Sequence, residues 1–266
     1  MFEFPDINPV ALDFGIIKIR WYALSYIAGI LMSWYLILRI IKLKKIDINT
    51  KQVSDLVGNC MIGIIIGGRL GYVLFYNPEY YFNNLTEIFK IWNGGMSFHG
   101  GFLGVVFAII YSGKLFKIPI LTFSDLIALV TPVGLFFGRL ANFVNGELYG
   151  RITNHPFGMV FPTGGNLPRH PSQLYEAFFE GVILFIILWI MASIFNLLKR
   201  PGLITSYFIF LYGLFRFLIE FFREPDQHIG LLYFELSMGQ ILSIPMILTG
   251  LYFSIIFFKK NENFKD

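Results

Sequence analysis

Gly138-Arg139-Leu140-Ala141-Asn142-Phe143-Val144-Asn145-Gly146-Glu147-Leu148-Tyr149-Gly150 closes an apolar run that begins near Ile120. An arginine, two asparagines and a glutamate thus stand where a membrane-spanning helix would leave the lipid. Charge at membrane depth is costly, and residues that carry it there usually face a cavity or a partner. The chain around this stretch reads as a membrane scaffold. It has 266 residues, of which 56% are hydrophobic and only 14% charged, whereas soluble domains are about a quarter charged. Mean hydropathy is +0.65.

Working outward, seven apolar segments can be counted: Ile17–Ile41, Leu56–Tyr76, Phe102–Phe116, Ile120–Phe143, Leu174–Leu198, Leu203–Phe222 and Met238–Phe258. The third is short unless it starts near Gly100; the others are long enough to cross the hydrocarbon core as helices. The expected fold is therefore an all-α integral membrane protein with seven transmembrane helices, residues 1–266 forming one transmembrane domain. Orientation follows from the loops. Cations crowd at Arg39, Lys42, Lys44, Lys45 and Lys51, at Lys114 and Lys117, at Lys199 and Arg200, and at Lys259, Lys260 and Lys265. The alternate loops hold only Lys90, then Arg151 and Arg169, then Arg223. The positive-inside rule then puts the N-terminus outside and the C-terminus in the cytoplasm; Lys18 and Arg20 weigh the other way.

Two connections are not simple. Pro78 to Phe98 is rich in aromatics and is expected to lie along the interface as an amphipathic piece. The stretch of about 148–171, with Pro156, Pro162, Gly164, Gly165 and Pro168, reads as a small irregular extracytoplasmic lobe between helices four and five. The segment Met1 to Phe14 carries Glu3, Asp6 and Asp13 but no lysine or arginine, unlike a signal-peptide n-region.

Composition also narrows the function. A net charge of +4 without a basic stripe argues against a nucleic-acid partner. The single cysteine, Cys60, lies in an apolar run and excludes an internal disulfide; with no Cys/His cluster, no metal is expected. No organic cofactor is expected either.

On this topology the unusual polar residues share one leaflet. Tyr22 opens helix one, Arg69 lies in the outer half of helix two, and His99 opens helix three. Arg139 and Asn142, three apart, share a face of helix four. His170 precedes helix five, and Arg216, Glu220 and Arg223 recur at spacings of four and three on helix six. Arginine offers a planar fork of donors suited to phosphate, so the grouping suggests a site for a phospholipid headgroup. Each residue also admits a plainer reading. Arg216 and Glu220 could be an intrahelical ion pair, Arg69 could snorkel, Glu147 could pair with a nearby arginine, and His99 could bond to backbone.

The stretch 138–150 matches, at every fixed position, the signature of the bacterial prolipoprotein diacylglyceryl transferases. The resemblance extends to Trp21-Tyr22, Gly67 to Asn77, Gly94 to Gly101, Arg169 to Glu176, Phe215-Arg216, Glu220 to Arg223 and Ser237 to Gln240. It implies an enzyme of the bacterial cytoplasmic (inner) membrane, working at the outer face. Such an enzyme moves the diacylglyceryl group of phosphatidylglycerol to the lipobox cysteine of a prolipoprotein signal peptide. The products are a thioether and glycerol phosphate, in the first step of lipoprotein maturation. By resemblance, Arg139 contacts the lipid, Arg216 is a second essential arginine, and Tyr22, His99, Asn142, Glu147 and Gly150 are functional positions. With Arg69, this gives His99, Arg216 and Tyr22 as candidate catalytic residues and Arg139, Asn142, Glu147, Gly150 and Arg69 as candidate substrate-binding residues. His99 is the preferred acceptor of the thiol proton, with Tyr22 next. Competing classes fit less well. A flippase would place polar groups through the whole membrane depth. An intramembrane protease needs a nucleophilic serine or paired aspartates, and a purely structural subunit leaves clustered arginines unexplained.

Overall fold

Backbone amides in lipid have no water to bond, so an apolar run satisfies them internally as a helix. The computed structural model describes residues 2–5, 7–15, 18–225 and 230–262, and in it the greater part of each of the seven apolar segments is helical. The helices are α1 (Trp21–Lys44), α2 (Thr50–Phe75), the short α3 (Pro78–Asn83), α4 (Phe98–Phe116), α5 (Ile120–Val144), α6 (Ser172–Ser193), α7 (Leu203–Ile219) and α8 (Met238–Glu262). Six of them, α1, α2, α4, α5, α6 and α8, are long and apolar enough to cross a membrane; α7 has 17 residues. The chain is thus an all-α, multi-pass membrane protein with six to seven long apolar helices. Strand structure among the described residues is confined to β1 (Phe2–Glu3), β2 (Val10–Asp13), β3 (Lys18–Arg20) and β4 (Met159–Val160).

Several boundaries differ from expectation. The first helix starts at Trp21, because Val10–Asp13 and Lys18–Arg20 pair as the antiparallel strands β2 and β3 just before it, with Gly15 between them at φ +80°. Ile17, the expected start, lies outside the described residues, as do Asp6 and Lys265. The third helix begins at Phe98, where the Ser97 hydroxyl caps it by accepting from the Gly100 amide at 3.2 Å, an N-cap serine being a strong helix start. The sixth segment leaves helical geometry after Ile219, so Arg223 lies beyond α7 and pairs through its backbone with Gly150. Between Pro78 and Phe98 there is no continuous amphipathic helix. Asn83-Asn84 ends α3, two 3-10 turns follow (Leu85–Phe89 and Ile91–Asn93), and Gly94 and Gly95 sit at φ +82° and +81°.

The chain divides into two compact units: residues 45–124, and residues 1–44 with 125–266. In the smaller unit α2 and α4 run antiparallel at backbone contact. A Cβ on Gly63, Gly67, Gly100 or Gly104 would overlap a carbonyl oxygen of the facing helix. Small residues that admit such approach are a principal adhesive between helices in lipid, where no hydrophobic force draws them together. Asn59 Nδ2 adds a hydrogen bond to Ser112 Oγ at 3.0 Å.

The larger unit is tied at one end by exchanged caps. Asp125, in the second turn of α5, accepts hydrogen bonds from Gly202 N (2.7 Å), Thr205 N (2.8 Å) and Thr205 Oγ1 (2.6 Å), serving the amide groups that open α7. Lys44 Nζ, closing α1, donates to the Ser193 carbonyl and to Asn196 Oδ1, where α6 ends. With those ends gathered, the start of α1, the end of α5, the start of α6 and the end of α7 meet at the other end. There the irregular lobe is pinned by β1–β4 pairing, Phe2 to Met159 and Glu3 to Val160, and by bridges from Arg169 to Ile152 and Met159. Phe4, Phe143 and Phe161 pack beneath it at ring separations of 5.3 to 6.2 Å.

Replacing Gly104 with alanine is expected to force α2 and α4 apart and cost about 1–3 kcal/mol, as overpacking does. Thermal unfolding in detergent would read this as a lowered midpoint, with the control Gly58→Ala, which meets open space, little changed.

Candidate functional site

At the lobe end of the larger unit, six ionisable side chains, three of arginine and three of glutamate, converge from three helices. Arg139 lies on α5, Glu176 and Glu180 on α6, and Arg216 on α7, with Glu220 and Arg223 just beyond it. Glu176 Oε2 stands 2.7 Å from Arg139 Nε and 2.9 Å from Arg216 Nη1, with Arg223 Nη1 at 3.8 Å. Glu180 stands one step further off, Oε2 at 3.7 Å from Arg139 Nη2 and Oε1 at 3.7 Å from Arg216 Nη1. Glu220 Oε2 is 2.8 Å from Arg216 Nη2. The side chains of Glu176 and Glu180 are wholly buried, whereas those of Arg139 and Arg216 keep 18% and 13% of their surface exposed, so the two arginines are the more accessible members.

Three arginines and three glutamates bring the formal charge of the cluster to zero, which is what lets it sit in a medium that penalises isolated charge. Arg216 and Glu220 do form the i, i+4 pair expected of them, but as one edge of a larger network.

The signature stretch supplies a second set of contacts at the same end. Glu147 Oε1 accepts from Asn142 Nδ2 at 3.0 Å and Asn145 Nδ2 at 3.2 Å, so the asparagines hold the glutamate and not Arg139. Gln173 Nε2 grips the Glu147 carbonyl at 2.6 Å. Gly150 is where three backbone stretches cross: its amide donates to the His170 carbonyl at 2.8 Å, and a Cβ there would overlap the Phe222 carbonyl oxygen. Tyr22, at the start of α1, meets Tyr26 hydroxyl to hydroxyl at 3.3 Å and lies within electrostatic range of Glu147 and Arg139. Tyr22, Arg139, Asn142, Glu147, Gly150 and Arg216 are therefore brought together in one unit.

Arg69 and His99 belong to the other unit. Arg69, 4% exposed, donates to five backbone carbonyls: Ile88 (2.8 Å), Gly94 (2.5 Å), Gly95 (3.1 Å), Glu87 (2.6 Å) and Lys90 (3.3 Å). Its guanidinium lies 5.1 Å from the Tyr81 ring centroid. It neither snorkels nor offers donors outward; it pins the connection between α3 and α4. His99 is exposed in the first turn of α4, beside the Phe98 ring.

Beside the charged cluster a cavity of about 410 Å³ is lined by Tyr175, Phe179, Phe215, Leu218 and Phe222, together with His155 and His170. Tyr175, Phe179 and Phe215 are the sequence neighbours of Glu176, Glu180 and Arg216. His170 is held 3.3 Å from the Tyr175 hydroxyl. Burial, then the nearby His155, pushes its pKa below the usual histidine value. Among the described residues no group of three or more histidine, cysteine or acidic side chains is placed to hold a metal ion.

The sequence reading gives no role to Glu180, and it includes Gln173 and Glu176 only as members of the Arg169 to Glu176 motif. A signal was there. Two acids four apart inside an apolar run are as costly in lipid as the arginines, and each must have a partner.

The chain is thus a polytopic membrane protein with two arginines paired at one end of the larger unit, a donor arrangement of the kind that suits an anionic group. Comparison narrows the class. Residues 9–256 match the family model for prolipoprotein diacylglyceryl transferase. The chain is 53% identical over 249 residues to the phosphatidylglycerol–prolipoprotein diacylglyceryl transferase of Rickettsia felis, covering 94% of this chain and 96% of that one. It is 50% identical over 267 residues to the protein of the same name from Francisella tularensis subsp. mediasiatica, covering 99% and 98%. The chain belongs to the prolipoprotein diacylglyceryl transferase family.

Two outcomes check these assignments. Arg69→Lys keeps the charge but loses the fork, and should free the loop by about 3 kcal/mol, the scale of hydrogen bonds from a charged group; amide hydrogen exchange in residues 85–95 would speed up accordingly. Because the folded chain binds the His170 proton less readily than the unfolded chain, stability should fall as pH drops below about 6.5. Unfolding midpoints between pH 8 and 5 would show this, with a flatter profile for His170→Gln.

Proposed function

We propose that this chain transfers the diacylglyceryl group of phosphatidylglycerol to the cysteine thiol of prolipoproteins. Membership of the family supports the reaction. The observation that carries it to particular residues is the sharing of one carboxylate oxygen by Arg139 and Arg216, which sets two guanidinium groups side by side for one phosphate.

The thiol of the incoming lipobox cysteine loses its proton and becomes the nucleophile. The thiolate attacks the glyceryl carbon that bears the phosphate ester. A carbon–sulfur bond forms, the carbon–oxygen bond breaks, and the electron pair leaves with the phosphate. The products are the thioether-linked diacylglyceryl protein and glycerol phosphate. Arg139 and Arg216 stabilise the charge growing on the departing phosphate, as fixed donors do at an oxyanion. An arginine holds its proton too firmly to act as base. His99 takes the thiol proton, a role supported by the family resemblance and its exposure, with Tyr22 as second candidate. Asn142, Glu147 and Gly150 shape the floor beneath the headgroup, and Arg69 contributes by holding its loop in place.

The chain works as one transmembrane transferase domain of the bacterial inner membrane, with seven spans, the N-terminus outside and the C-terminus in the cytoplasm. The site and the lobe of about 148–171 face outward. The lysine and arginine count of the loops supports this orientation, and α7, roughly 25 Å long at 1.5 Å per residue, is the seventh span.

Purified protein in phosphatidylglycerol vesicles, given a lipobox peptide, should shift the peptide's mobility and release glycerol phosphate only when the peptide cysteine is present. Arg139→Gln and Arg216→Gln should each lose about 10²–10³ in rate, and His99→Gln should lose most of its turnover at neutral pH. Lipid scrambling with no peptide shift would instead favour a flippase, and near-normal turnover of His99→Gln would pass the base role to Tyr22.

A further inference from the structure

Glu176 and Glu180 have no part in the reaction as written above, yet among the described residues they are the most deeply buried ionisable groups. Both are fully inaccessible, and neither Glu176 Oε1 nor either oxygen of Glu180 has a hydrogen-bond partner. Their place in the fold is specific. Helix α6 is π-helical over Ala177–Ile183, a geometry found mostly as short bulges that are frequent at functional sites. Within it Gly181 packs directly on α5, where a Cβ would lie 2.7 Å from the Phe136 Cβ. Phe136 is one turn before Arg139. The widened turn and the missing side chain therefore press the carboxylates of α6 towards the arginine of α5.

We infer that Glu176 is a positioning residue for the transfer, its Oε2 setting Arg139 and Arg216 in register for the phosphate while Glu180 balances their charge from behind. The inference rests on the proposed function, in which those arginines serve the phosphate. Glu176 Oε2 engages Arg139 through Nε and leaves the terminal nitrogens beyond hydrogen-bond distance of Glu180, at 3.7 Å for Nη2. Arg216 is fixed from both sides, by Glu176 at Nη1 and Glu220 at Nη2. Without the shared oxygen, two neighbouring cations would repel and take separate rotamers. With it, both guanidinium groups are oriented before lipid arrives, so little reorganisation is left for the transition state. Glu176 acts through the arginines and touches no reacting atom.

Glu176→Asp separates orientation from charge, because it keeps the carboxylate and withdraws it by one methylene. Its kcat should fall about 10²-fold, the cost of a misplacement near 1 Å, with KM for the lipobox peptide unchanged. A residue that only balanced charge would leave kcat near the parental value, so turnover within about threefold of the parent overturns the inference. In an Arg216→Lys background the further loss from Glu176→Asp should be much smaller than in the parent, since the group it positions is already altered. Fully multiplicative losses would also overturn it. Glu176→Gln, of equal size, is assayed beside the aspartate. If neither accumulates as folded protein in detergent while Glu180→Gln does, Glu176 is a stability residue and the inference is again overturned. Absence of transfer by the unaltered protein would count against the proposed function and not against this residue.

Discussion

A guanidinium group cannot be dehydrated beneath a membrane surface unless an anion is dehydrated with it. Everything at the lobe end of the larger unit follows from that constraint. Arg139 and Arg216 come from helices that are distant in sequence, and two of the three carboxylates that neutralise them, Glu176 and Glu180, come from a third. Removing one member of such a network leaves an unpaired buried charge, which is far more damaging than the worth of any single pair. The network therefore locks α5, α6 and α7 together as firmly as it fixes the site.

The opposite end of the same unit solves a different problem with similar means. Helix ends leave four amides or four carbonyls without partners, and in this chain the missing partners are borrowed across helices. Asp125 serves the start of α7 and Lys44 serves the end of α6. These are structural uses of charge, and they align the four helices whose far ends carry the site. The smaller unit uses no charge for its central packing. It brings α2 and α4 to backbone contact through glycines and then spends one arginine, Arg69, on the loop that leads into α4.

Much of this was legible in the linear chain. The apolar runs located the six long apolar helices and the shorter α7, because lipid leaves the backbone few alternatives. The stretch 138–150 lies at the end of α5, and the family could be named from it. Boundaries were less legible where local chemistry intervened. Strands β2 and β3 pair just before Trp21, and the Ser97 cap starts α4 ahead of the apolar run. The role of Arg69 could not be seen, since its partners are carbonyl groups, which every residue carries and no sequence distinguishes. Nor could the holding of Glu147 by Asn142 and Asn145, because a pairing within thirteen residues depends on how the chain turns at Gly146.

What the sequence by itself determined is the inventory: a multi-pass α-helical membrane protein, its family, and the arginines that lipid would tolerate only for a purpose. Hydrophobicity and motif are properties of a string, so they survive without coordinates. What only the tertiary structure decided is which charges meet. Glu176 and Glu180 became the counter-charges of Arg139 and Arg216 because a π-helical turn and the bare surface of Gly181 bring α6 against α5. An ion pair is a statement about distance, and distance between helices is set by packing.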